Sequence, residues 1–148
     1  ITALAGDLRG RMAYVCGPQV FYPYAAEQLA ALGHPRRRTR FEANGAPADP
    51  TAERGWPEGV DPGERVRVTV RGMTFSTPRD RPLLDALEDN GITPEAACRS
   101  GDCSLCRVRV CAGEVYTAPQ AKLRLSDERS GWTHSCVAYP VSDVELDF

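Results

Sequence analysis

Six cysteines are the residues most able to do chemistry in this sequence, and four of them are spaced as metal ligands. Cys98, Cys103 and Cys106 lie within nine residues as C-x4-C-x2-C, and Cys136 follows after 29 intervening residues. Three thiolates on one short loop and a fourth from a distant strand can enclose two irons, each tetrahedral in sulfur, that share two sulfides. Thiolates are soft, deprotonated ligands that suit iron and sulfide. The spacing therefore predicts a [2Fe–2S] cluster held by these four cysteines.

The residues between the ligands suit such a cluster. Backbone N–H groups in a ligand loop stabilise the negative charge on the sulfurs and raise the reduction potential. The loop residues from which we expect these N–H groups are Arg99, Ser100, Gly101, Asp102, Ser104 and Leu105. Gly101 permits a positive φ or a close approach that a Cβ would prevent.

Other uses of these cysteines are less well supported by the spacing. Structural zinc commonly takes its ligands as two close pairs, whereas here three are close and one is distant. A disulfide framework is typical of secreted proteins, and a redox dithiol such as Cys103 with Cys106 would open a helix in a βαβ unit. His134 would ligate iron only in a Rieske-type centre, and since four cysteines suffice we expect a surface or strand residue. We interpret Cys111 as a packed or half-exposed thiol outside the cluster.

Composition and charge exclude several classes of protein. The 148 residues are 42% hydrophobic and 26% charged, an ordinary globular balance. The net charge of −2 gives no reason to expect nucleic acid as a partner. No apolar run approaches the roughly 18 residues of a membrane span, and residues 1–11 lack the pattern of a signal peptide. We therefore expect a cytoplasmic protein with reduced cysteines.

Hydrophobic spacing predicts the elements that position the cysteines. Val66, Val68 and Val70 alternate with polar residues over 64–71, which indicates a half-buried strand, and residues 73–76 can pair back across Gly72. The further predicted elements are a helix over 82–90, the cysteine loop over 95–106, a strand over 107–110, a short helix capped by Ser126, and strands over 135–138 and 144–148. This order predicts an α+β domain around a small mixed sheet.

The first third of the chain has a different pattern. We predict a helix over 2–8, a strand over 12–16, a helix over 21–32 and a strand over 39–42. Residues 44–62 are rich in Pro and Gly, which predicts a semi-extended linker in which Trp56 docks on a neighbouring surface. The predicted organisation is thus 1–43, a linker over 44–62, and a domain over 63–148.

Residues 97–106, ACRSGDCSLC, resemble the cluster loop of plant-type [2Fe–2S] ferredoxins. Residues 131–140, GWTHSCVAYP, followed by Ser142-Asp143-Val144, are similar to the closing segment of that family. The resemblance covers about residues 64–148 and implies a β-grasp fold, one-electron transfer and Cys136 as the fourth ligand. Ser104 and Leu105 stand where the family often has small residues.

Residues 14–18, YVCGP, resemble the C-terminal part of the ferredoxin–NADP reductase family, and the resemblance covers about residues 1–43. It implies that Cys16, Gly17 and Pro18 line a nicotinamide pocket; a buried small hydrophobe at a strand end is the alternative for Cys16. The segment lacks a Gly-rich phosphate turn and room for a flavin-binding barrel. We therefore expect it to be the end of a nucleotide-binding domain, with FAD or FMN and NAD(P)H bound by an upstream part.

Together the two resemblances imply the ferredoxin part of an iron–sulfur flavoprotein reductase. Such a protein would take electrons from NAD(P)H through a flavin and pass them singly to an acceptor protein, such as an oxygenase. The alternatives are a ferredoxin-type activator and a stand-alone electron carrier. From Ser126 onward five acidic residues oppose Arg129 alone, which predicts either docking on a basic partner or merely a solvated acidic face.

Overall fold

The structure, a computed structural model, describes residues 6–18 and 21–148. It divides into two units, residues 1–44 and residues 45–148. Within the part of the chain that the structure describes, every helix is too short or too polar to cross a membrane.

The first unit contains the predicted strand, helix and strand. Strand β1 (Ala13–Pro18) is followed by helix α1 (Phe21–Ala31) and strand β2 (Thr39–Asn44). The strands pair in parallel, and the helix that joins them buries Ala25 and Leu29. The helix predicted over 2–8 lies partly outside the described residues, and residues 6–8 are not helical.

A five-stranded mixed sheet forms the centre of the second unit. Its strands are β3 (Arg65–Val70), β4 (Met73–Pro78), β5 (Arg107–Ala112), β7 (Trp132–His134) and β9 (Val144–Asp147). The order across the sheet is β4-β3-β9-β5-β7, and only the β3–β9 pair is parallel. Helix α2 (Leu83–Asp89) packs on this sheet, which confirms the predicted α+β class and β-grasp arrangement.

The core lies between α2 and the sheet. Leu83 and Leu87 are fully buried against residues such as Val68 and Leu146. Each such side chain contributes about 1.5–3 kcal/mol by leaving water. The remaining elements are strand β6 (Val115–Thr117), helix α3 (Leu125–Arg129) and strand β8 (Ala138–Pro140), with β6 and β8 paired antiparallel.

Two predicted elements of this unit are wrong. The strand expected over 135–138 is a 3₁₀ turn, Ser135–Val137, because a short apolar run cannot distinguish a strand from a buried turn. Ser126 is not a cap, since α3 begins one residue earlier and its N-cap position, Arg124, makes no side-chain cap bond.

The Pro- and Gly-rich segment belongs to the second unit and is turned rather than semi-extended. Asp49 caps a 3₁₀ turn, Pro50–Ala52, by accepting from the backbone N–H of Thr51 at 2.9 Å. Trp56 docks as predicted, with its ring centroid 5.2 Å from that of Tyr116 and 6.2 Å from that of Tyr139. Such edge-to-face contacts hold this segment against the body of the unit.

Candidate iron–sulfur site

The cysteine loop runs from the end of α2 to the start of β5, and contacts with α2 and with residues 120–122 hold it. Arg99 forms ion pairs with Asp85 and Glu88 on α2. Gln120 donates from Nε2 to the carbonyl of Ser100 at 3.1 Å. The backbone N–H of Lys122 donates to the carbonyl of Gly101 at 2.9 Å. The loop is therefore tied both to the helix and to the segment that precedes α3.

The four thiols lie as two pairs. In the first pair, the backbone N–H of Cys103 donates to Sγ of Cys98 at 3.3 Å, and the Cys103 thiol helps to lower the pKa of Cys98. In the second pair, Cys106 and Cys136 lie in one buried cluster, and each thiol shifts the pKa of the other. The 3₁₀ turn explains the second pair, because Ser135 donates from its backbone N (3.0 Å) and its Oγ (2.8 Å) to the carbonyl of Cys106. Cysteines 30 residues apart in sequence are thereby brought side by side.

The two pairs differ in exposure. Cys106 and Cys136 are 2% and 3% exposed, whereas Cys98 is half-buried and Cys103 is exposed. Leu105, the loop residue between the two pairs, has 49% of its surface exposed. One side of the site therefore faces the core and the other faces solvent.

Backbone N–H groups converge on Cys98. Its Sγ accepts from the N–H of Ser100, Asp102 and Cys103 at 3.5, 3.4 and 3.3 Å. Burial opposes ionisation of this thiol, but the hydrogen bonds from Ser100 and Cys103 outweigh it and lower the pKa of Cys98 to about 6. The site thus favours a thiolate at Cys98, which is the form that binds iron.

In the buried pair, one thiol ionises at the expense of the other. The hydrogen bond from Cys136 lowers the pKa of Cys106 to about 6 against the opposing effect of burial. Donating that bond, together with burial, raises the pKa of Cys136, and the backbone N–H of Gly101 opposes the rise. A second negative charge in this pair therefore requires a positive ion beside it.

Gly101 is required by both conformation and space. Its φ is +85°, in the left-handed region, and a Cβ there would lie 2.9 Å from Cγ2 of Val137 and 3.0 Å from Cα of Ala121. Arg99 and Ser104 also have positive φ, of 53° and 62°. Left-handed non-glycine residues are strained and persist only where surrounding contacts hold them, as the ion pairs of Arg99 do.

These residues fit a [2Fe–2S] cluster. Two thiol pairs could supply two ligands to each of two irons, and the converging N–H groups suit the negative charge on sulfur. A site for a single metal ion is a different matter: among residues 6–18 and 21–148, the structure has no group of three or more His, Cys, Asp or Glu side chains that could hold one.

The structure also places two other residues discussed in the sequence analysis, His134 and Cys111. His134 is the last residue of β7, fully buried, with Nδ1 2.8 Å from the carbonyl oxygen of Gly101. It is a strand residue rather than a surface residue, and its contact with the loop was not anticipated, because the sequence does not show which chain segment faces a buried histidine. Cys111 lies on β5 and is exposed.

In the first unit, Cys16 and Gly17 lie in β1 beside a groove of about 570 Å³, whose lining includes Tyr14, Cys16, Phe21 and Tyr24. Cys16 is exposed, so the interpretation as a buried small hydrophobe is wrong. Pro18 ends the same strand. Three consecutive arginines between α1 and β2 form a 3₁₀ turn, Arg36–Arg38.

Comparison with known proteins agrees with this geometry. Residues 66–141 match the family described as the 2Fe-2S iron-sulfur cluster binding domain. The chain belongs to this family. Like other members, the 2Fe-2S domain described here binds a [2Fe–2S] cluster and serves electron transfer.

Three relatives place the 2Fe-2S domain in a wider context. The chain is 37% identical to the ferredoxin reductase component of a 3-ketosteroid-9-alpha-monooxygenase from Mycolicibacterium smegmatis, over 99% of this chain and 43% of that protein. It is 32% identical to Ferredoxin-2 from Synechococcus, over 56% of this chain and 81% of that protein. A solved structure of phthalate dioxygenase reductase, described as modular for electron transfer from pyridine nucleotides to [2Fe-2S], is 25% identical with a TM-score of 0.54, over 96% and 41% of the two chains. The chain therefore spans less than half the length of the relatives that match both its units.

Proposed function

We propose that Cys98, Cys103, Cys106 and Cys136 ligate the [2Fe–2S] cluster, and that the chain is the electron-delivering end of an NAD(P)H- and flavin-dependent reductase that serves an oxygenase or similar acceptor. The observation that carries the ligand assignment is the arrangement of the four cysteines as two pairs, one at the Cys98–Cys103 loop and one in the buried cluster of Cys106 and Cys136. When bound, the cluster accepts and releases one electron at a time. The protein's part is to hold the thiolates, to direct N–H groups at them, and to leave one side accessible.

The difference in exposure supports an exit for the electron on the solvent side of the site. Cys106 and Cys136 face the core, while Cys103 and Leu105 face solvent. An acceptor protein can approach closely only on the second side. Leu105 offers this acceptor an exposed apolar contact beside the ligand loop, which is typical of the centre of a transient interface.

The acidic residues from Ser126 onward carry less unpaired charge than the sequence suggests. Asp127 forms an ion pair with Arg107 at 3.3 Å, and Asp143 forms one with Arg67 at 2.6 Å. These pairs reduce the acidic excess that predicted docking on a basic partner. We therefore assign a larger part of docking to the exposed apolar contact at Leu105 than to net charge.

The proposed origin of the electrons rests on the first unit. The similarity to the monooxygenase reductase component extends over both units of this chain rather than the cluster domain alone. The groove beside β1, with Cys16 exposed in its lining and Gly17 and Pro18 following, is where we propose that the nicotinamide approaches. FAD or FMN and the remainder of the NAD(P)H site would be supplied by other parts of the protein.

The ligand assignment is tested by serine variants. C98S, C103S, C106S and C136S should each lose most of the two irons and two sulfides expected per chain, together with the electron paramagnetic resonance signal of the reduced cluster. C111S is the matched control, because Cys111 is exposed on β5 and takes no part in the pairs. Loss of the cluster in C111S, or an intact cluster in any of the other four, would refute the assignment.

The reductase assignment is tested separately on the full-length protein. Adding NADH or NADPH anaerobically should bleach the visible absorption of the cluster through the bound flavin. A cluster that dithionite reduces, but that neither nucleotide reduces while flavin is bound, would favour the activator or stand-alone carrier.

A further inference from the structure

One peptide group links His134 to a ligand sulfur. The carbonyl of Gly101 accepts from Nδ1 of His134 at 2.8 Å. The N–H of Asp102, which belongs to the same peptide group, donates to Sγ of Cys98 at 3.4 Å. In a trans peptide the C=O and N–H point in opposite directions, and no described peptide bond in this chain is cis. The histidine and the sulfur therefore lie at opposite ends of one polarisable group.

The geometry also assigns the tautomer of His134. A carbonyl oxygen only accepts, so Nδ1 must carry the proton that forms this bond. Nε2 is buried and makes no hydrogen bond within the described residues. A proton on Nε2 would be a buried donor without an acceptor, which is costly, so the tautomer with its proton on Nδ1 is the one that fits. The side chain is fully buried on β7, and packing holds the ring in place.

We propose that His134 is a positioning residue that raises the reduction potential of the cluster by acting through the Gly101–Asp102 peptide group on Cys98. This inference rests on the proposed ligation by Cys98. A hydrogen bond to a peptide carbonyl strengthens the N–H of that peptide as a donor, by about 10–30% per bond. The strengthened N–H stabilises negative charge on Sγ, and reduction adds negative charge to the cluster. His134 therefore favours the reduced state.

The backbone N–H of Lys122 donates to the same carbonyl at 2.9 Å, so the carbonyl keeps one donor when His134 is replaced. The loop should accordingly retain its conformation, and the effect should be a modest change of potential rather than loss of the cluster. We expect removal of the Nδ1 donor to change the ratio of oxidised to reduced cluster, at a fixed solution potential, by about threefold in favour of the oxidised form. For a one-electron couple this corresponds to about 28 mV, at 59 mV per tenfold.

The test compares H134L with H134N in potentiometric titrations of the full chain, followed by visible absorption. Leucine fills the space without a donor, whereas the asparagine amide can occupy the position of Nδ1. H134L should have the lower potential and H134N should stay near wild type. The stretching frequencies between iron and cysteine sulfur, measured by resonance Raman spectroscopy, should rise in H134L because a weaker hydrogen bond to sulfur leaves a stronger iron–sulfur bond.

An unchanged potential in H134L, or equal shifts in H134L and H134N, would overturn the inference, because burial and volume would then account for the role of the residue. If H134L does not assemble a cluster, H134Q replaces it, since glutamine carries its amide one bond farther out than asparagine does. H134Q must then have a lower reduction potential than H134N. A wild-type chain without the electron paramagnetic resonance signal of a reduced [2Fe–2S] cluster would overturn the proposed function itself. A wild-type chain with that signal and an unshifted H134L would overturn only the inference.

Discussion

Replacing Gly101 with alanine should destabilise the cluster loop far more than the same change at a comparable turn. The φ of Gly101 is +85°, and the added Cβ would lie 2.9 Å from Cγ2 of Val137 and 3.0 Å from the backbone Cα of Ala121. Gly72, in the turn between β3 and β4, has a similar φ of +77°, but a Cβ there meets nothing within 4 Å. G72A is therefore the matched control, because it adds the same methyl group in the same backbone region without the collision.

The expected losses of stability follow from the backbone conformation, which both variants share, and from the collision, which only G101A has. A left-handed conformation costs an alanine about 1–2 kcal/mol in both variants. Overpacking costs about 1–3 kcal/mol more, and only in G101A. Since 1 kcal/mol shifts the unfolding midpoint of a domain of this size by about 4–8 °C, G101A should unfold several degrees below G72A.

The assay is the thermal midpoint followed by loss of the visible absorption of the cluster, together with the iron content of the purified protein. Because cluster loss makes unfolding irreversible, the variants are compared at one scan rate. G101A should also hold less iron, since the loop that carries Cys98 and Cys103 must shift to admit the methyl group. A G101A protein with the midpoint and iron content of G72A would show that the tight packing at Gly101 does not limit assembly of the site.

Two further predictions use matched pairs of substitutions. The hydroxyl of Tyr139 is buried and makes no hydrogen bond within the described residues, whereas that of Tyr116 donates to the carbonyl of Arg54 at 3.2 Å. Y139F should therefore leave the thermal midpoint unchanged or raise it, and Y116F should cost about 0.5–1.5 kcal/mol; the opposite order would contradict this reading of the buried hydroxyls. Leu105 and Leu125 are both exposed, at 49% and 69%, but only Leu105 lies in the cluster loop. L105D should slow the reduction of cytochrome c by the chemically reduced chain severalfold, whereas L125D should not. Equal rates for the two variants would argue against an exit for the electron beside Leu105.

The parts of the fold that the sequence predicted correctly are those with strong periodicity. Val66, Val68 and Val70 indicated β3, and the leucines of 82–90 indicated α2. The 3₁₀ turn at Ser135–Val137 could not be predicted, because its apolar residues are buried for a reason that is tertiary: Ser135 bonds to the carbonyl of Cys106. Strand β6 is three residues long and leaves no periodic signal.

Some features of the site could be predicted from the sequence, and others could not. Cysteine spacing predicts which four cysteines belong together, because a cluster demands particular residue types at particular intervals; that they are the ligands stays a proposal. The contact between His134 and Gly101 joins residues 33 positions apart, and no local pattern reveals such a pairing. Composition was misleading for residues 45–62, whose Pro and Gly content suggested a tether, whereas Trp56 fastens them to the second unit through its contacts with Tyr116 and Tyr139.

The order of strands in the sheet has a consequence for how the domain is made. Strand β9 follows every other described element in the chain, yet it lies between β3 and β5 in the sheet. Its parallel partner, β3, is synthesised more than 70 residues earlier, with Val68 opposite Val144. The sheet therefore cannot close on a ribosome that has not yet released β9, and until then its two halves, the β3–β4 hairpin and the β5–β7 pair, stay unjoined. Pairings over such long separations are slow, so cysteines on the nascent chain should remain open to iron and sulfide donors until translation of the domain ends.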